Sequence, residues 1–119
     1  MRKIMRAILL ATVLTTLLCS AALAYGTETF VENGITYVAT DRASVYYVGT
    51  NNDTICVDAS CDINPVIRHY STADIRKGSR TGTVVSTSYR QWTNGTTSSA
   101  SCTAPRSSSD LKGFGWWGH

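Results

Sequence analysis

Thr27-Glu-Thr-Phe-Val-Glu32, Asn33-Gly34 and Ile35-Thr-Tyr-Val-Ala-Thr40 follow one another without a gap. Two strand-like runs flank an Asn-Gly pair, the strongest short-range signal for a β-hairpin with a two-residue loop. Such a loop pairs Glu32 with Ile35, Val31 with Thr36, Phe30 with Tyr37 and Thr29 with Val38. Side chains alternate along a strand, so Phe30 and Tyr37 share one face and look into a core.

Strand signals continue beyond the hairpin. Asp41-Arg-Ala43 breaks the run, and Ser44–Thr50 is again rich in β-branched and aromatic residues. Asn51-Asn-Asp53 is turn chemistry, which makes Thr54–Asp58 the returning strand of a second hairpin. Ala59–Pro65 reads as a loop, Val66–Tyr70 as a fifth short strand, and Ser71–Lys77 as one helical turn capped by Ser71 or Thr72. Thr83–Trp92 is the longest strand candidate, with Val85, Thr87 and Tyr89 on one face. Turn signals at this regular spacing predict an all-β fold: a small antiparallel meander closing into a sandwich or barrel. The β domain is expected over residues 25–92.

Composition then shifts. Ten of the seventeen residues from Thr93 to Ser109 are Ser or Thr, which offers little to bury. Residues 93–110 are therefore expected to form a linker or loop. Residues 111–119, Leu-Lys-Gly-Phe-Gly-Trp-Trp-Gly-His, are expected to form a flexible, aromatic, Gly-rich tail.

The N-terminus combines Arg2, Lys3 and Arg6, an apolar run from Ala7 to Cys19, and Ala22-Leu-Ala24. That is the pattern of a signal peptide cleaved after residue 24, which implies bacterial export and a secreted product. The apolar run is short for a spanning helix, which needs about 20 residues. Without the leader the chain keeps 8 basic and 8 acidic residues of the 11 and 8 in the full sequence. The basic balance thus belongs to the leader and gives no argument for nucleic-acid binding. Charge nevertheless separates along the chain. Tyr25–Asp62 carries six acids and one base, and Ile63–His119 carries seven bases and two acids.

Cys56, Cys61 and Cys102 remain after cleavage, and export permits disulfides. A Cys56–Cys61 bridge is the favoured pairing, with a long-range bridge from Cys102 to either as the alternative. Cys102, in the Ser/Thr-rich stretch, then serves as a free or intermolecular thiol able to link a homodimer. Three cysteines with His69 lack the paired spacing of a zinc site, and Asp53, Asp58, Asp62 and Asn64 do not match a calcium loop, so no metal or cofactor is expected. His69 beside Cys61 or Cys102 is the one candidate thiol–imidazole pair, without a surrounding catalytic motif. The reading is therefore non-enzymatic.

Binding candidates lie in the C-terminal half. Phe114, Trp116 and Trp117, with Lys112, suit a membrane interface or a receptor surface. Arg68, His69, Arg76, Lys77 and Arg80 form a basic cluster near Tyr70 that suits a polyanion. Ser88-Tyr89 through Ser99-Ala-Ser101, followed by a Gly–Trp element, resembles in part the small secreted β-sandwich bacteriocins of the lactococcin kind. The histidines of that pattern are missing, and the N-terminal half does not follow it. Size, export and the aromatic end point to a bacteriocin-like antimicrobial acting at a target cell envelope or its surface receptor. The alternative is an exported interaction or adhesion module of the envelope with no killing activity.

Overall fold

The structure, a computed structural model, describes residues 21–106 and 110–119, and the side chains from Tyr25 onward. Two antiparallel sheets pack face to face as an all-β sandwich. The leader expectation for residues 1–20 falls outside the described residues.

The first sheet orders its strands β1 (Ala21–Glu32), β2 (Ile35–Val48), β3 (Thr54–Asn64) and β7 (Thr97–Pro105). The second contains β4 (His69–Lys77), β5 (Val84–Thr87), β6 (Gln91–Thr93) and β8 (Leu111–Gly118). Strand β8 pairs with β4 from Tyr70 to Lys77, while β5 pairs with its Asp74–Arg76 end and β6 with its His69–Ser71 end. A strand has two edges, so β5 and β6 share the edge opposite β8.

The β1–β2 hairpin has the register read from the sequence, with Glu32 opposite Ile35 and Phe30 opposite Tyr37. Asn33 and Gly34 take φ of 54° and 78°, the two positive values that a type I′ turn requires. The Phe30 and Tyr37 rings stack with centroids 5.1 Å apart.

Other boundaries differ from expectation. Asp41-Arg-Ala43 lies within one continuous β2, because Arg42 meets Asp62 at 2.8 Å and Ser60 at 3.2 Å on the neighbouring strand. Ala59–Asn64 extends β3 instead of looping, and Ser71–Lys77 is strand β4, not a helical turn. The long 83–92 strand is split at Tyr89, whose φ is 58°.

The linker and tail expectations also need correction. Thr97–Pro105 is a sheet strand whose even residues, Ser98, Ala100, Cys102 and Ala104, are buried while its odd residues face out. Small side chains defeat a composition argument, but their strict alternation suits a thin core. Residues 111–118 form β8. Its Gly113 and Gly115 lie against the first sheet, where a Cβ would approach Val45 to 2.7 Å and Ala43 to 2.7 Å. The core follows from this closeness: Ile55, Val57, Ala59, Ala73, Ile75, Ala100, Cys102, Ala104 and Leu111 form its main cluster.

The expected disulfide is absent, and all three described cysteines are free and buried. Cys56 and Cys61 lie five residues apart on β3, so an extended chain separates them by about 16 Å. A disulfide needs Cα atoms within about 7 Å. The odd spacing also turns the two thiols to opposite faces. Cys61 sits in a second cluster with Tyr37, Ala39 and Ile63, covered by Phe30, Ile67 and Trp117. Cys102 points into the main core instead of lying exposed.

Candidate functional site

The outer face of the second sheet gathers most of the predicted binding residues. Even-numbered positions of β4 (Tyr70, Thr72, Asp74, Arg76) face away from the core. Register then places Gly118, Trp116, Phe114 and Lys112 of β8 beside them, and Trp92 of β6 beside Tyr70.

Each aromatic ring on this face carries a guanidinium group. Arg68 lies 3.9 Å over the Trp92 ring centroid, and Arg90 lies 4.5 Å over Tyr70. Arg80 lies 4.3 Å over Trp116 and 5.8 Å over Phe114, and Arg76 is 5.7 Å from Trp116. Tyr70 and Trp92 also touch, with centroids 4.8 Å apart. Each such contact contributes about 0.5–1 kcal/mol at an exposed site and leaves the N–H donors at the rim of the guanidinium available.

Arg76 alone of the four has an anionic partner. Asp74 Oδ2 accepts bonds from Arg76 Nη2 at 2.8 Å and Nε at 3.2 Å, and from Trp116 Nε1 at 3.1 Å. Among the described residues, Arg68, Arg80 and Arg90 form no ion pair and donate no hydrogen bond. A pocket of about 280 Å³ opens between the two ends of the face, lined by Tyr70, Thr72, Asp74, Arg76, Arg90 and Trp116.

The structure thus brings Arg76 and Arg80 of the basic cluster beside Lys112, Phe114 and Trp116 of the aromatic end, which the sequence had offered as separate candidates. Trp117 does not join them. It faces inward with its ring centroid 6.1 Å from that of Phe30. Lys77 sits exposed at the end of β4, opposite Leu111. Trp92 and Arg90 were missed, because a single strand over 83–92 hides the bend that returns β6 to β4. The alternation Arg68, Tyr70, Thr72, Asp74, Arg76 was the available signal, had that stretch been read as one strand.

Other candidates carry less. The larger cleft, about 670 Å³, runs from the outer side of the first sheet to Ser88 and Gln91 at the β5–β6 edge of the second. Its lining is mainly the short side chains Ser44, Ser60, Ser88, Ser99 and Ser101, and its cation, Arg42, is paired with Asp62. The thiol–imidazole pair does not form. Both ring nitrogens of buried His69 meet backbone carbonyls, Nδ1 that of Ile67 at 2.7 Å and Nε2 that of Cys61 at 2.9 Å. Burial, reinforced by Asp41 and Asp62, pushes the Cys61 thiol up to about 12, far from a thiolate at neutral pH. Among the described residues no group of three or more His, Cys, Asp or Glu could hold a metal ion.

Compared with known protein families, curated proteins and solved structures, the chain matches none. The partial resemblance to lactococcin-type bacteriocins therefore carries no family assignment.

Proposed function

We propose that the protein is a small secreted, non-enzymatic binding module that acts at a cell envelope, bacteriocin-like in docking on the surface of a target cell. The observation that carries this reading is the set of three guanidinium groups, Arg68, Arg80 and Arg90, seated on aromatic rings without a carboxylate partner among the described residues. A fixed cation with idle donors is prepared for an anion, because the side-chain ordering is complete before the ligand arrives. Anionic polymers and headgroups of an envelope supply the matching charge.

Growth inhibition of a bacterial panel by residues 25–119, beside Arg80→Gln/Arg90→Gln, tests the reading. The native chain is expected to inhibit at least one strain, and the double variant to lose about tenfold in potency with an unchanged circular dichroism spectrum. Adsorption to envelopes without inhibition would favour the second reading, an adhesion module with no killing activity. Absence of adsorption would remove both. One observation favours adhesion: the rings of the C-terminal strand are engaged, Trp117 inward and Trp116 under Arg80, so this strand presents no free apolar segment for insertion.

A further inference from the structure

We infer that the envelope component held by the outer face of the second sheet is an acidic polysaccharide, not a bilayer; this rests on the docking reading above. The charge along the face is not uniform. One end carries Arg68 and Arg90 over Trp92 and Tyr70, and the other carries Arg76, Arg80 and Lys112 around Trp116 and Phe114. Between them lies the pocket floored by Thr72 and Asp74. From Tyr70 to Asp74 the strand advances about 13 Å, so the two cationic ends stand roughly that far apart.

Asp74 decides the ligand class. Its side chain is nearly inaccessible, and Oδ2 takes all three of its bonds, from Arg76 and Trp116. Oδ1 takes none among the described residues. A carboxylate oxygen accepts and cannot donate, so at the floor of an anion-binding face it repels a continuous run of negative charge. It is satisfied by a ligand that offers a hydroxyl donor between its anionic groups, and Thr72 adds a group that can donate or accept. A sugar polymer bearing carboxylates has that order: acid, hydroxyls, acid.

A bilayer fits less well. Its aromatic anchors bury ring faces at the headgroup level, and here those faces lie under guanidinium groups. Insertion would also carry the Asp74 carboxylate toward low dielectric, at considerable cost.

The test compares three immobilised probes with residues 25–119: polygalacturonate, poly-L-glutamate and phosphatidylglycerol vesicles, alongside isolated bacterial envelopes. Polygalacturonate is expected to bind about tenfold tighter than poly-L-glutamate, which has carboxylates but no hydroxyls. Vesicles are expected to bind no better than poly-L-glutamate. Asp74→Asn, and independently Thr72→Val, should bring the two polymers close to equal affinity. The second variant keeps the test valid if loss of the Asp74 charge disturbs Arg76 and Trp116. Binding of vesicles or poly-L-glutamate as tight as that of polygalacturonate overturns the inference and leaves docking intact. Binding to envelopes but to none of the probes does the same. Binding to neither probes nor envelopes overturns the docking reading itself.

Discussion

Gly113 and Gly115 occupy positions where the two sheets nearly touch. A Cβ on Gly115 would lie 2.7 Å from that of Ala43 and 3.0 Å from that of Ala59. Gly115→Ala should therefore cost about 1–3 kcal/mol by overpacking, read as a lower denaturant midpoint with an unchanged slope. The thiols give a second residue-scale expectation. In residues 25–119 all three should react with a thiol reagent in denaturant and resist it in the native fold, since each is buried and burial raises Cys61 and Cys102. A mass or thiol count indicating a Cys56–Cys61 bridge would contradict the in-strand geometry. At this scale the sequence was legible wherever one residue type forces one conformation. Asn33-Gly34 demands a type I′ turn, so hairpin and register followed. Cys56 and Cys61 are close in sequence, but proximity along a chain becomes proximity in space only if the chain turns, and β3 does not.

At the scale of elements, β8 and β7 were the least legible because each depends on a partner. Ser and Thr at alternate positions of β7 look like linker composition until β3 pairs with one edge and the second sheet covers the even-numbered face. Glycines in Leu111–Gly118 suggest flexibility until they are seen as the contact that lets β8 close over Val45 and Ala43. The aromatic end is thus a structural strand, and removing residues 112–119 should abolish the cooperative unfolding transition as well as any activity. A shortened chain with a native-like thermal transition would show that β8 is dispensable. Asp62 ties three strands of the other sheet, accepting from Thr97 Oγ1 at 2.7 Å on β7 and from Arg42 Nη2 at 2.8 Å on β2. The hydrogen bond from Thr97, followed by that from Arg42, holds its pKa below the ordinary value. A carboxylate with a depressed folded pKa contributes stability above its unfolded pKa and loses it as pH falls through the folded one. The melting temperature should drop as pH falls below about 4, and Asp62→Asn should flatten that part of the profile. An equally steep acid limb in the variant would place the dependence elsewhere.

Across the whole molecule, the charge separation seen along the chain becomes a separation between layers. Glu28, Glu32, Asp41, Asp58 and Asp62 belong to strands of the first sheet, whereas Arg68, Arg76, Lys77, Arg80, Arg90 and Lys112 belong to the second or its loops. The sandwich is therefore polar across its thickness, a field that would turn the arginine-bearing face toward the anionic surface proposed above. The sequence showed the imbalance between the halves of the chain. It did not show that the bases would converge on one face, because that requires β6 and β8 to flank opposite edges of β4.

The most direct test is sedimentation of residues 25–119 with isolated bacterial envelopes, set beside the variant Arg68→Gln/Arg80→Gln/Arg90→Gln. The native chain should pellet at about 0.15 M salt and be released toward 1 M, as the screening length falls from about 8 Å to about 3 Å. The triple variant should stay in the supernatant at both while keeping its β-sheet spectrum and melting transition. A triple variant that pellets as well as the native chain would contradict the assignment of this face as the docking surface.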